Sequence, residues 1–360
     1  GDNGSLPTFW QCGDWCAVEP RATCTPGTGP AAAGANFLLA LDAMVQMATA
    51  INETASARRY GAALAELRTA FDARFWNATS GTYSNDPLES QTLSAIALGA
   101  GAVPAARHDT VVNTFVDDVT SRGDHLTVGS AGQKWLLREL TAEGKHDTAL
   151  RIALQTTEPS WGYWVAQGAT TCWESWSGVE DGSHPGDCYN TNFAPGCRPN
   201  PPTHNHIFLC GGVGEWMYRS LGGIAPAAPG YAKVALSPEI SPTEGPSAVN
   251  ATVSTVRGLV TSHWTRGGGG AKALRWAVTV PVGMTAQLSV PLLHRAADHV
   301  RVSEVAAGEF TLWDGAATAS LAGQEDWLLG KPNAVVAADG LARLRLDIGS
   351  GEYIFEVAHH

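Results

Sequence analysis

A carboxylate set among tryptophans is the feature of this sequence that best indicates chemistry. Glu174 lies between Trp173 and Trp176, and Trp161 and Trp164 come shortly before it. Aromatic faces stack on the C–H faces of sugars, and burial disfavours the charged form of a carboxyl group, which can tune an acid or a base. The pattern therefore indicates a site that holds a sugar ring.

A second acidic cluster lies near the start of the chain. Asp14, Trp15 and Glu19 fall within seven residues of sequence. Two carboxyl groups that face each other across a sugar ring are the machinery of glycoside hydrolysis. In an inverting enzyme they stand about 6.5–9.5 Å apart, which leaves room for a water molecule. We therefore expect the two clusters to meet in the folded protein.

Composition limits the class of protein. The chain has 360 residues, enough for two sizeable cores, and 44% of them are hydrophobic, so it is globular. Few charges and thirteen tryptophans suit a secreted sugar-handling protein. The formal net charge of −11 argues against nucleic acid or an anionic membrane as partner. We find no run long enough for a membrane span in the sequence.

The cysteines and the glycosylation motifs favour an oxidising, secretory route. The seven cysteines are concentrated near the two acidic clusters, and Cys12 and Cys16 lack the second close pair that a zinc site needs. We expect disulfides, for which Cys188 and Cys197 are one candidate pair, and the odd cysteine is either free or bonded to another chain. The four glycosylation motifs, which chance could also produce, begin at Asn3, Asn52, Asn77 and Asn250.

Hydrophobic periodicity predicts helices over roughly residues 31–223. The three- and four-residue spacing of Tyr60, Leu64, Leu67, Phe71 and Phe75 is typical of one buried helical face. Residues 36–50 are nearly all apolar, so we expect that helix to be buried on most sides. Further helices are predicted over residues 129–140, 146–154 and 209–221. Paired helices joined by short turns favour an α/α toroid or a helical bundle.

The period changes to two after about residue 230. Apolar and polar residues alternate over 273–280 and 343–348, and the glycines at 267–270 indicate a hairpin turn. Several short strands with turns predict an antiparallel β-sandwich. We place the boundary in the Pro/Ala segment near residue 225, which gives a helical domain over 1–225 and a β-sandwich over 226–360.

An ordered series of motifs resembles the α-L-rhamnosidases of glycoside hydrolase family 78. The series covers most of residues 11–265. Its blocks are Gly13-Asp14-Trp15, Gln91-Thr92, the run from His125 to Gly129, the run from Gln155 to Tyr163, the run from Gly168 to Trp176, and Asn205-His206. The resemblance implies an (α/α)6-barrel catalytic domain followed by a C-terminal β-sandwich, and an inverting reaction that releases terminal α-L-rhamnose without a cofactor.

The resemblance also implies roles for individual residues. Glu174 would be the general base that activates water, Glu19 the general acid, and Asp14 a ligand of the sugar hydroxyls. The apolar neighbours Ala17 and Val18 suit an acid that must stay protonated. The other implied substrate-binding residues are Trp15, Trp161, Trp173, Trp176, His125 and His206. For His125 a packing or hydrogen-bonding role is an equal alternative, and the segment after Glu19 departs from the family pattern.

Other readings of the chain stay open. A complete (α/α)6 barrel needs about twelve helices, and the sequence predicts about seven, so we expect an N-terminal segment or separate chain to complete the barrel. A non-catalytic sugar-binding or structural glycoprotein on the same scaffold is one alternative function. Another (α/α)6 glycosidase or a lyase is a second, although no basic cluster near Glu174 would neutralise the uronate of a lyase substrate.

Overall fold

The computed structural model describes most of the chain, with gaps. The described residues are 14, 17–18, 29–84, 87–176, 204–267, 272–293, 300–304, 310–314, 328–329, 333–336 and 340–359. Several predicted features lie outside this part of the chain. These are Trp15, Glu19, Asn3, the Cys188–Cys197 pair and most of the glycine turn at 267–270.

Helices make up the first part of the described chain, as the periodicity predicts. They are α1 (Gly29–Ala50), α2 (Thr54–Phe75), α3 (Ser90–Gly99), α4 (Ala105–Ser121), α5 (Gln133–Ala142), α6 (His146–Ala153), α7 (Trp161–Ala166) and α8 (Gly211–Trp216), which a π-helical turn continues over Met217–Leu221. The apolar stripe predicted on α2 buries Leu64 and Phe71. Helix α5 begins at Gln133 rather than near Gly129, because the backbone amides of Gly129, Ala131 and Gly132 donate to the Asp14 side chain.

The prediction that residues 36–50 are buried on most sides is wrong. One face of α1 is buried, but Phe37 and Met47 on the other are more than half exposed. Helix α1 is also long and apolar enough to cross a membrane by length and composition alone, and 33% of its most apolar window is buried. The sequence reading overlooked this candidate span. A core helix passes the same test, so α1 is weak evidence for a membrane.

Two sheets follow the helices. The described strands are β1 (Ile224–Pro226), β2 (Lys233–Leu236), β3 (Ala248–Thr255), β4 (Gly258–Arg266), β5 (Lys272–Val280), β6 (Thr285–Pro291), β7 (Val300–Glu304), β8 (Phe310–Asp314), β9 (Asn333–Val336), β10 (Ala342–Ile348) and β11 (Gly351–His359). The first sheet has the order β1-β2-β6-β10-β9 and the second the order β3-β4-β5-β11-β7-β8. Among these described strands, all pairs are antiparallel except β2 with β6.

Both sheets contribute to one hydrophobic core, which confirms the predicted β-sandwich. Val234, Leu288 and Leu344 from the first sheet belong to the same buried cluster as Trp276 and Phe355 from the second. The alternation predicted along 273–280 holds, because Leu274, Trp276, Val278 and Val280 are all buried. The indole N–H of Trp276 donates to the Ser262 hydroxyl at 2.9 Å, so this core tryptophan leaves no unpaired donor.

The chain divides into two compact units. The first comprises Gly1–Leu140 and Thr148–Val213, and the second Thr141–Asp147 and Gly214–His360. The first unit holds most of the helices and every described residue that the sequence assigned to the catalytic or substrate-binding site.

Candidate active site

Asp14 is buried, and its carboxylate accepts four hydrogen bonds from its own chain. Oδ2 accepts from the Thr92 hydroxyl and the Gly129 amide, each at 2.5 Å. Oδ1 accepts from the amides of Ala131 at 2.6 Å and Gly132 at 3.1 Å. A carboxylate offers about four lone-pair sites, so these bonds use all of them. In this arrangement Asp14 anchors the loop before α5, and a sugar hydroxyl would have to displace one of the four donors.

The surroundings of Asp14 act on its charge in opposite directions. Burial raises the pKa of the Asp14 carboxyl, while the hydrogen bonds from Thr92 and the three amides lower it. Four converging donors are complementary to the ionised form. The space around the carboxylate is also tight, since a Cβ on Gly132 would stand 2.8 Å from Oδ2 and 2.6 Å from the Thr92 hydroxyl. Gly132 is therefore the residue that lets the backbone approach Asp14.

Gln91 holds the same loop, residues 125–132, from α3. Its side-chain amide donates to the His125 carbonyl at 3.1 Å and accepts from the Thr127 amide at 2.9 Å. Both ring nitrogens of His125 are also engaged, one with the Arg122 carbonyl at 2.9 Å and the other with the Thr157 hydroxyl at 2.8 Å. These bonds favour the hydrogen-bonding alternative for His125 over direct contact with a substrate.

The four tryptophans of the second cluster pack as one nest. Trp164 stacks on Trp176 with ring centroids 4.8 Å apart, and Trp161 meets Trp176 edge-on at 5.5 Å. Trp164, Trp173 and Trp176 are buried, whereas Trp161 is half-buried. The indole N–H groups of Trp161 and Trp164 donate to backbone carbonyls, that of Trp161 to Leu209 at 2.7 Å and that of Trp164 to Trp176 at 3.1 Å. The nest is therefore a fixed aromatic wall.

Glu174 lies between Trp173 and Trp176 in the chain and is 3% exposed. One of its carboxylate oxygens, Oε1, stands 3.6 Å from Nε2 of His206. The backbone amide of His206 donates to the Cys172 carbonyl at 2.7 Å, and a disulfide joins Cys172 to Cys210. The expectation of disulfides near the acidic clusters is confirmed for this pair, and the other five cysteines lie outside the described residues. A buried carboxylate beside an imidazole is suited to proton transfer.

The two clusters meet at consecutive residues of one loop. The Trp176 indole N–H donates to the Val128 carbonyl at 2.7 Å, and the next residue, Gly129, donates its amide to Asp14. One residue before Val128, the Thr127 carbonyl accepts a hydrogen bond from the Val18 amide at 3.2 Å. The segment that leads to residue 19 therefore lies against the loop that touches the tryptophan nest.

Sequence reasoning missed several residues that build the site. Trp164 was counted in the aromatic cluster but not among the substrate-binding residues, yet it stacks on Trp176 at the centre of the nest. His204 was assigned no role, and it stacks on Trp173 at 4.6 Å. Gln91 and Thr92 were recognised only as a motif. In the structure the Gln91 side-chain amide binds the loop of residues 125–132, and the Thr92 hydroxyl donates to Asp14. Nothing in the pattern around His204 signals its stacking. Among the described residues, no group of three or more His, Cys, Asp or Glu is arranged to hold a metal ion.

The described chain thus consists of a helical part that carries the two acidic clusters, followed in sequence by a β-sandwich. The family model for the bacterial alpha-L-rhamnosidase 6 hairpin glycosidase domain matches residues 2–221, and the model for the bacterial alpha-L-rhamnosidase C-terminal domain matches residues 223–303. The chain belongs to the bacterial α-L-rhamnosidase family.

Relatives with this activity in their names cover most of the chain. An alpha-L-rhamnosidase of Streptomyces avermitilis is 30% identical over 308 residues, which are 82% of this chain and 27% of the relative. One from Alteromonas sp. is 25% identical over 80% of this chain and 29% of its own length. This chain therefore spans under a third of the length of these relatives.

Solved structures show the same fold. The crystal structure of Streptomyces avermitilis alpha-L-rhamnosidase complexed with L-rhamnose has 27% sequence identity and a TM-score of 0.70, and the match covers 96% of this chain and 28% of that one. The alpha-L-rhamnosidase from Dictyoglumus thermophilum superposes with a TM-score of 0.75 at 22% identity, covering 98% of this chain and 34% of its own.

Replacing Asp14 by Asn should destabilise the first unit. An Asn side chain keeps one carbonyl oxygen but turns an NH2 group toward buried N–H donors. Each unsatisfied donor costs about 1–3 kcal/mol, so we expect a total loss of about 3 kcal/mol in the free energy of unfolding, measured by urea denaturation. Asp109→Asn, at a side chain that is fully exposed, should change stability by less than about 0.5 kcal/mol. Equal stability of the two variants would contradict the anchoring role of Asp14.

Proposed function

We propose that the protein is an inverting exo-glycoside hydrolase that releases terminal α-L-rhamnose from a polysaccharide, glycoprotein or glycoside. Membership of the family supports this activity, and so does the Streptomyces relative, whose crystal structure contains L-rhamnose. In the same proposal the catalytic domain extends to residue 225, and the β-sandwich of residues 226–360 carries none of the catalytic residues.

The observation that carries the proposal is the environment of Glu174. Its side chain is buried at 3% exposure, it lies between the buried Trp173 and Trp176 in the chain, and Oε1 stands 3.6 Å from Nε2 of His206. A general base must be within about 3 Å of the water that it activates. In the proposed complex that water lies between Glu174 and the anomeric carbon of the sugar, and it attacks as the leaving oxygen departs from the opposite face.

The tryptophan nest is the proposed floor of the sugar subsite. Trp161 is the one of the four that keeps a half-exposed ring, so its face is the best candidate for stacking on the sugar. Trp176 meets Trp161 edge-on and so fixes the angle of that ring, and the buried Trp173 completes the proposed subsite. His206 is near enough to Glu174 to contact a hydroxyl of the same sugar. Asp14 contributes to the proposed subsite by holding the loop of residues 125–132, and Trp15, which lies outside the described residues, keeps the substrate-binding role that the family resemblance implies.

Glu174→Gln should lower kcat for an aryl α-L-rhamnoside by about 10²–10⁴-fold with little change in KM, because a positioned general base contributes about that much. In Glu174→Ala, azide should restore turnover, since this anion needs no base, and the product should be β-L-rhamnosyl azide, identified by NMR. Glu158→Gln, an exposed carboxylate in the segment before the nest, is the matched control and should keep full activity. Normal hydrolysis by Glu174→Gln would refute the assignment, and an α-azide would refute inversion.

Glu19 is the proposed general acid. It lies outside the described residues, but the Val18 amide beside it donates to the Thr127 carbonyl, one residue from the carbonyl that Trp176 binds. That proximity supports a carboxyl group that reaches the same sugar from another side. The alternative is an acid in the part of the relatives that this chain does not span.

The leaving group distinguishes these two positions of the acid. A good leaving group departs without protonation, whereas an alkoxide does not. Glu19→Gln should therefore lower kcat/KM for methyl α-L-rhamnoside by at least about 10²-fold and for the 2,4-dinitrophenyl glycoside by far less. Steady-state kinetics on both substrates gives the ratio. If both rates are unchanged, the acid lies elsewhere in the polypeptide.

The oxidised Cys172–Cys210 pair supports the proposal that the protein is secreted, because disulfides are rare in the cytosol. Two of the proposed glycosylation sites, Asn52 and Asn250, are exposed. The third described one, Asn77, is half-buried, and its side-chain oxygen accepts from the Thr79 amide at 2.9 Å. Asn52 and Asn250 are therefore the better acceptors.

A segment outside this chain is the proposed partner of α1. The exposed side of that helix presents Phe37, Met44 and Met47, and a helix of this kind normally buries such a face. The relatives extend over more than twice the length that this chain matches, which supports further helices that pack there and complete the barrel.

Oxidation by peroxide tests whether α1 is covered. In the full-length protein Met44 and Met47 should react about as slowly as the buried Met284, which is 2% exposed, because the added helices would shield their sulfur atoms. Peptide mass spectrometry after timed exposure gives the three rates, and the unfolded protein gives the upper limit. Rates at that limit for Met44 and Met47 in the folded protein would refute the packing proposal.

A further inference from the structure

Two segments that are distant in sequence run side by side at the candidate base. Residues 171–174 carry Glu174, and residues 204–210 carry His206. The His206 amide donates to the Cys172 carbonyl at 2.7 Å, and the Thr171 hydroxyl donates to the His204 carbonyl. The Cys172–Cys210 disulfide, which closes 38 residues of sequence, is the covalent link between the two segments in the described part of the chain.

The position of the disulfide relates directly to the Glu174–His206 pair. Cys172 precedes Glu174 by two residues, and Cys210 follows His206 by four. Between these points Trp173 stacks on His204 at 4.6 Å, and Glu174 faces His206 at 3.6 Å. Glu174 and His206 therefore lie in the two short segments that the disulfide joins.

His206 depends on this backbone arrangement more than His125 does. Both ring nitrogens of His125 are hydrogen-bonded. The Nδ1 atom of His206 is buried and has no hydrogen-bond partner among the described residues, and its other nitrogen, Nε2, faces Glu174. No hydrogen bond at Nδ1 fixes the ring, so its placement follows from the backbone bond to Cys172, the edge-on contact with Phe208 and the nearby disulfide.

We propose that the Cys172–Cys210 disulfide is a positioning element for the candidate base, an inference that rests on the function proposed above. The disulfide holds His206 against Glu174. Its reduction lowers the rate of hydrolysis without weakening the binding of the substrate. In that reduction a dithiol supplies two electrons and two protons, the S–S bond breaks to give two cysteine thiols, and the dithiol becomes a disulfide. The loosened segment 204–210 then lets Glu174 leave the line of attack of the water.

The test compares the full-length protein with the Cys172→Ala/Cys210→Ala double variant on 4-nitrophenyl α-L-rhamnoside. A misplacement of about 1 Å costs up to about 10²-fold in rate, so we expect kcat to fall at least about tenfold while KM stays within about twofold. The pH dependence of kcat should also change, because the imidazole beside Glu174 is no longer held there. Loss of a merely stabilising disulfide would leave kcat and its pH profile intact once the protein is folded.

Reduction with dithiothreitol supplies a second measurement that needs no variant. Wild-type protein should lose kcat to the same extent, recover it on reoxidation, and keep its near-UV circular dichroism, with mass spectrometry reporting which cysteines are reduced. The double variant is the matched control, since it retains the other five cysteines and should not respond to the dithiol. A loss of activity in the double variant equal to that of the wild type would assign the effect to those other cysteines and overturn the inference.

A structural readout separates this inference from the proposed function. The ring ¹⁵N signals of His206, assigned with His206→Gln, should shift when Cys172 and Cys210 are reduced, whether or not the protein hydrolyses rhamnosides. Wild-type protein without rhamnosidase activity would refute the function. Active wild type whose kcat, pH profile and His206 signals are unchanged after verified reduction would refute the positioning role of the disulfide and leave the function standing.

Discussion

The set of four hydrogen bonds that the buried Asp14 carboxyl group accepts is the interaction on which the candidate site depends. The carboxyl group replaces the water that the Thr92 hydroxyl and the Gly129, Ala131 and Gly132 amides would otherwise bind, and it does so in a buried place where an unpaired donor is expensive. The amides before a helix have no partners within the helix. Asp14 therefore converts the start of α5 from an unsatisfied helix end into a fixed point.

Further contacts connect the loop before α5 to the segment that carries the proposed base, Glu174. Gln91 clamps the loop of residues 125–132 at its first half, and the Val128 carbonyl binds the Trp176 indole. Trp176 in turn stacks on Trp164, and Glu174 lies two residues before Trp176 in the chain. The segment that carries the proposed base is thus connected to Asp14 by hydrogen bonds and aromatic contacts, and the Glu174 carboxylate itself stands 3.6 Å from Nε2 of His206.

Helices and strands with a regular hydrophobic period were predictable from the sequence, whereas contacts between residues distant in sequence were not. The apolar stripe of α2 and the alternation along β5 and β10 follow from local spacing, so these helix and strand types were confirmed. The face of α1 was mispredicted because an apolar composition does not reveal whether a partner is present in the chain. Asp14 was expected to contact a sugar, and its four backbone and hydroxyl donors come from α3 and from the loop before α5, which no local pattern joins to residue 14.

Amide hydrogen exchange in the loop before α5 tests the central claim most directly. If the Asp14 carboxylate is the fixed point, the amides of Gly129, Ala131 and Gly132 exchange as slowly as those within α5 in the native protein. In Asp14→Asn the same three amides exchange orders of magnitude faster, while those of the β-sandwich keep their rates. Rapid exchange of these amides in the native protein would contradict the account, because it would mean that solvent, rather than Asp14, satisfies them.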